Sequence, residues 1–172
     1  QGLPKNIIGG YGTIDGWMLV PSSIPQMELK EQRLSRVRKA EGISIPAGFP
    51  AKKASVYITP HTSITLLMDQ SSLTNAYPTL IFSGGKNAEI SLSYAEALFA
   101  EPPSKGNRNE VDGKTFMGRT DNIISDGTRD QVFTSLSWRT YRYIELKVTT
   151  KYEPLTIDDI YGTFTGYPFQ YK

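Results

Sequence analysis

From residue 54 onward, apolar residues alternate with polar ones at a spacing of two. Val56 and Ile58 begin the pattern, then Ile64, Leu66 and Met68, then Ile90, Leu92 and Tyr94, and finally Ile144, Leu146 and Val148. A period of two places successive side chains on opposite faces of a strand, so each run has one face fit for burial and one for water. Turn residues separate the runs, and no segment sustains the 3.6 period of a core helix. Several short half-buried strands of this kind specify an all-β chain, and the expectation is an antiparallel β-sandwich of jelly-roll type.

Local signals refine that expectation. Asn75 to Phe82 reads as a strand entered through Pro78, and Ser83-Gly84-Gly85-Lys86 reads as a turn into the run from Asn87 to Phe99. Glycine accepts positive φ, which predicts a hairpin with these two strands paired antiparallel. Arg142 to Val148 sets Ile144, Leu146 and Val148 on one face and Tyr143, Glu145 and Lys147 on the other. Between residues 101 and 130 lies a polar stretch carrying Pro102, Pro103, Gly106, Gly113, Gly118 and Gly127, longer than an ordinary hairpin loop and the expected seat of function or docking.

Residues 1–50 are dense in glycine and proline and read as an irregular connector, with residues 51–172 forming the sandwich. Within the connector, ELKEQRLSRVRK (28–39) permits a short helix through Leu34 and Val37, although its alternating charges fit a solvated linker better. At 172 residues, one domain is the default.

Composition excludes several functions. The net charge is +2, from 19 basic and 17 acidic residues, which points to neither nucleic acid nor an anionic membrane as partner. No apolar run approaches the roughly 20 residues that span a bilayer. With no cysteine and one histidine, thiolate metal sites, disulfides and multi-histidine zinc sites are ruled out, and His61 in TPHTS reads as a turn residue. No cofactor or metal is expected. Gly10-Tyr11-Gly12 with Gly16 lacks both the spacing and the following helix of a dinucleotide loop.

Glycan chemistry gives the remaining candidates. A sugar's C–H face stacks on aromatic rings, and its hydroxyls take planar polar groups. Trp17, Trp138, Tyr141, Tyr143, Tyr161, Tyr167 and Phe169 could supply the rings, with Trp138 best placed because Arg139 follows it. In NRNEVDGKTFMGRTDNIISDG, Arg108, Asp112 and Arg119 join Trp138, Arg139 and Tyr143 as candidate carbohydrate-binding residues. Each also has a structural reading: packing for the rings, loop stapling or domain docking for the charges. Catalysis by two carboxyl groups finds no pair here, since the adjacent Asp158 and Asp159 would diverge on a strand.

LLMDQSSLTNAYPTLIFSGGKNAEISLSYAEALF (66–99) resembles a segment of the bacterial α-L-rhamnosidases. So, in order, do GWMLVPSSIPQME (16–28), KGNRNEVDGKTFMGRTD (105–121), SWRTYRYIELKV (137–148) and EPLTIDDIYGTFTGYPF (153–169). The resemblance implies a linker and concanavalin-like β-sandwich that precede the catalytic barrel, hence an accessory domain of a longer, inverting glycoside hydrolase. In that family the acid and base carboxylates belong to an α/α barrel, so no catalytic residue carries over. Glu96 would anchor a loop or domain contact. The implied partners are the barrel and other domains of the same polypeptide, with a rhamnose-containing glycan as a further ligand if the domain binds sugar on its own. The large size of rhamnosidic polymers implies a periplasmic or secreted enzyme.

Overall fold

The computed structural model describes residues 22–169. The glycine-rich start, the GYG segment and Trp17 lie outside the described residues. Two compact units are distinguished, residues 28–166 and a smaller one to which the described residues 22–27 and 167–169 belong. In the smaller unit, Ser22 Oγ bonds to Ile24 and the Phe169 N–H donates to the Tyr167 carbonyl.

The larger unit is an antiparallel β-sandwich, as the alternation predicts. Its strands are β1 (Glu28–Gln32), β2 (Arg36–Glu41), β3 (Val56–Ile58), β4 (Ser63–Gly84), β5 (Glu89–Ala95), β6 (Phe99–Glu101), β7 (Ser104–Lys105), β8 (Arg119–Ile124), β9 (Gln131–Thr134), β10 (Arg139–Thr149) and β11 (Leu155–Gly166). One layer has the order β2-β4-β10-β5-β8 and uses the first half of β4. In the other, the second half of β4 lies between β11 and β9, while β3 and β1 pair with β11. The 22-residue β4 thus belongs to both layers. It changes layer at residues 71–73, where Ser71 takes a φ of 75° and the pairing with β10 slips between Tyr141 and Tyr143.

Inward side chains of both layers make one core. Ile64, Leu66, Met68, Ile90, Leu92, Ile144, Leu146 and Val148 come from the first layer, and Val56, Ile58, Leu80, Phe82, Ile157 and Ile160 from the second. The residues from the first layer, with Val56 and Ile58 from the second, are those that the period of two marks for burial.

Three expectations are corrected. Residues 28–41 form neither a solvated linker nor a helix: they are β1 and β2, paired with β11 and β4. The charges of this segment alternate because the strands are edge strands with water on one side. Between them, Leu34 is fully buried and Arg33 makes a bidentate pair with the buried Asp159, at 3.0 and 2.6 Å, so the sandwich begins well before residue 51. The glycine turn after β4 is present, with φ of 72° at Gly84 and 65° at Gly85, but the strand it leads to pairs with β10 and β8 rather than with β4. Finally, the 101–130 stretch is only partly loop, because Arg119–Ile124 is the edge strand β8.

Leu34→Ala should lower unfolding stability by about 2–5 kcal/mol, the range for emptying a buried leucine site. Urea denaturation measures this, and a loss within the noise would mean that the 33–35 crossover is not part of the core.

Candidate functional site

Side chains of the first layer that point away from the core divide into two groups. Toward the β8 edge they are small and polar: Ser93 bonds to Thr120 and Ser91 to Asn122, both at 2.7 Å. Toward β4 they include Leu67 and Tyr143, which pack with Leu98 into a second buried cluster beneath Val111 and Phe116. The segment from Leu98 to Gly118 therefore folds back over the outer face of the sheet.

Asp69 fastens that segment. The side chain is fully buried. Its Oδ1 accepts from Arg142 Nε at 3.1 Å and from the Ser71 N–H at 2.8 Å, and its Oδ2 from Arg38 at 3.1 Å and Arg36 at 3.2 Å. Burial by itself pushes the carboxyl pKa up, but the bonds from Arg142, Ser71 and Arg38 outweigh it and hold the group below the ordinary carboxylate value. The same arginines reach the loop: Arg142 donates to Asn109 Oδ1 at 2.7 Å, and Arg38 to the Asn109 carbonyl at 3.4 Å. Tyr143 Oη adds a bond to the Arg108 carbonyl at 2.5 Å. Glu96 accepts from Lys105 Nζ at 3.0 Å and so ties down the start of the loop.

Between the loop and the sheet lies a cleft of about 470 Å³. Leu67, Leu98, Val111 and Phe116 give it an apolar side, the leucines from below and Val111 and Phe116 from the loop above them. Lys39, Glu41, Glu145 and Lys147 line it from the sheet, and Asp112 and Lys114 from the loop. Adjacent charges are paired, Lys39 with Glu41 at 2.6 Å and Lys147 with Glu145 at 2.8 Å. An apolar side bordered by carboxylates and ammonium groups suits a polyhydroxylated ring, which offers C–H groups to one and hydroxyls to the other.

The six candidate residues do not form one site. Asp112 is on the cleft, and Arg108 is exposed on the same loop. Tyr143 is fully buried below the loop, so its ring packs and cannot stack on a sugar. Trp138 is 52% exposed in the β9–β10 connection, away from the cleft lining. Arg139 is consumed: Nε and Nη2 bond to Asp121 at 3.1 and 2.7 Å and Nη1 to Ser137, and the Asp121 bond raises its pKa against the opposing effect of burial. Arg119 is exposed on β8, in register with Tyr94. Sequence reading passed over Lys39, Glu41, Glu145 and Lys147, which become neighbours only when β2 and β10 flank β4.

The carboxylates are engaged as well. Asp158 accepts from Ser83 at 2.6 Å, while Asp159 holds Arg33. Asp126 accepts from Thr128 in its own turn. Among the described residues, no three His, Cys, Asp or Glu side chains converge as a metal site would require, and no helix is long and apolar enough to cross a membrane.

No protein-family model matches the chain, and no curated protein matches it in sequence. Solved structures do match in fold. A rhamnosidase from Klebsiella oxytoca with rhamnose bound superposes with a TM-score of 0.56 over 82% of this chain at 14% identity. A GH78 family rhamnosidase of Bacillus sp. GL1 gives 0.49 over 74% at 15% identity, and a fucose binding module of Streptococcus pneumoniae gives 0.39 over 69% at 11%. The chain spans 30% of the Klebsiella enzyme and 12% of the Bacillus enzyme. The first match shows that this β-sandwich occurs as a region of a larger protein.

Asp69→Asn should destabilise the domain by about 3–5 kcal/mol, because it leaves clustered guanidinium groups without their counter-charge. The wild-type contribution has a defined pH window. A carboxyl whose folded pKa is depressed adds stability that is complete above its unfolded value and is lost as pH falls through the folded one, hence below about pH 4. Thermal melts from neutral pH into that range should show the loss in the wild type and a shallower one in Asp69→Asn. Superimposable profiles would refute the role.

Proposed function

We propose that the chain is a noncatalytic β-sandwich domain of an α-L-rhamnosidase-like glycoside hydrolase, which packs against the catalytic barrel and shapes its substrate entrance. The observation that carries this reading is the fold shared with a region of the Klebsiella rhamnosidase, in which a domain of this kind accounts for less than a third of the chain. The sequence resemblance to rhamnosidases over the same strands agrees with it.

The state of the carboxylates supports a noncatalytic role. Glycoside hydrolysis needs one carboxyl held protonated and a second free to activate water or attack. Here the buried Asp69 and Asp159 are engaged by arginines, and Asp121 by Arg139, at 2.6–3.1 Å. Fixed charges of this kind serve structure rather than proton transfer. A large glycan substrate, in turn, places such an enzyme outside the cytoplasm of a bacterium that degrades polysaccharides.

A second reading, an autonomous carbohydrate-binding module, is favoured by the cleft beneath the 98–118 loop, whose apolar side and charged rim match sugar chemistry. Burial of Tyr141 and Tyr143 removes two of the candidate rings of an aromatic platform, while Trp138, Tyr167 and Phe169 are exposed.

The domain should be folded yet release no chromophore from an aryl α-L-rhamnoside, and turnover that survives repurification would overturn the noncatalytic role. The reading frame that encodes these residues should also encode a helical catalytic barrel. A frame with no second domain would remove the barrel as partner and leave the binding-module reading.

A further inference from the structure

The arginine cluster around Asp69 carries more charge than its structural task requires. Three guanidinium groups, Arg36, Arg38 and Arg142, share one carboxylate, a surplus of two positive charges. Arg142 and Arg38 also bind Asn109. Arg36 differs from both: it spends only Nη2 on Asp69, and its side chain is 59% exposed. Among the described residues, no further hydrogen bond involves its guanidinium. Arg108, anchored through its carbonyl to Tyr143, adds an exposed guanidinium from the overlying loop. The nearby loop carboxylate of Glu110 is already engaged by Lys114 at 3.4 Å.

Position makes this surplus useful. On β4, Leu67 is on the cleft floor and Asp69 in the arginine cluster; on β10, Glu145 is on the cleft wall and Tyr143 in the row beside Asp69. Two residues along a strand is about 7 Å, the reach of one sugar residue. A pyranose ring lying in the cleft would thus have its neighbour along the strands beside the row of Asp69, where a ring carboxylate meets the exposed guanidinium of Arg36. Guanidinium groups suit that contact, because their planar donors match a carboxylate in pairs.

We propose that the cleft and the exposed arginines together bind an acidic glycan, with the uronate carboxylate at Arg36 and Arg108. The inference rests on the carbohydrate-binding reading of the cleft. A concave site with an apolar side favours a uronic acid residue over an acidic protein surface, which would need only the charges.

The test is calorimetric titration of the whole chain with trigalacturonate, with the neutral galactose trimer of equal length and with polyglutamate. Trigalacturonate should bind about tenfold tighter than the neutral trimer or better, with the difference shrinking as sodium chloride rises from roughly 20 to roughly 300 mM. Arg36→Ala and Arg108→Ala, tested singly with their melting points, should each reduce the preference, read as the ratio of the trigalacturonate and neutral-trimer affinities of the same variant. Equal affinity for the two trimers overturns the assignment of the arginines and leaves the cleft as a neutral sugar site. Binding of neither trimer overturns both, without bearing on whether the domain belongs to a hydrolase. Polyglutamate binding without trigalacturonate binding also overturns the proposal and assigns the arginines to an acidic protein partner.

Discussion

One buried carboxylate organises the functional side of this molecule. Asp69 lies at the end of the first half of β4, just before the strand leaves one layer of the sandwich for the other. Its Oδ1 holds the Ser71 N–H, which fixes the left-handed residue that begins the change of direction. The same side chain draws in Arg36 and Arg38 from β2 and Arg142 from β10, so both strands beside β4 are tied to one point. A charge taken out of water is tolerated only when such partners surround it.

The covered outer face follows from that network. Arg142 and Arg38 cannot serve Asp69 alone; their remaining donors need acceptors, and Asn109 supplies a side-chain oxygen and a carbonyl. The loop that carries Asn109 is then close enough for Val111 and Phe116 to cover Leu67 and Tyr143. A cleft forms where the loop stands clear of the sheet, between the hydrophobic contacts of the loop and the charged ladder of β2, β4 and β10. Core, loop and cleft are thus linked through ordinary satisfaction of polar groups, with no special chemistry required.

Much of the fold was legible because burial acts residue by residue along a strand. Val56 and Ile58, Ile64 through Met68, Ile90 through Tyr94 and Ile144 through Val148 all point inward as their alternation requires. The segment 28–41 was not legible, since edge strands with one wet side carry the same charge alternation as a solvated linker, and only pairing with β11 and β4 separates the two. The Gly84-Gly85 turn was legible as a turn, yet its partner was not: a two-glycine turn fixes the local reversal, while the choice between pairing and crossing to the other layer depends on β11 and β9 occupying the two places beside the end of β4.

The candidate site shows the same division. Asp112 was visible as a loop charge and does line the cleft, whereas Tyr143 looked like an exposed ring and is covered. By itself, the amino-acid sequence determined that the residues spaced by two, from Val56 to Val148, are buried against the core, that the chain is all-β and antiparallel, and that it lacks the cysteines and histidines of a thiolate or multi-histidine metal site. Those properties depend on residue type and near neighbours. The tertiary structure alone decided that β4 serves both layers, that Arg139 is consumed by Asp121 and that Lys39, Glu41, Glu145 and Lys147 share one cleft. These outcomes join residues far apart in the chain, 18 positions for Arg139 and Asp121 and about a hundred for the two walls of the cleft, and strand order, which brings them together, leaves no periodic mark in the chain.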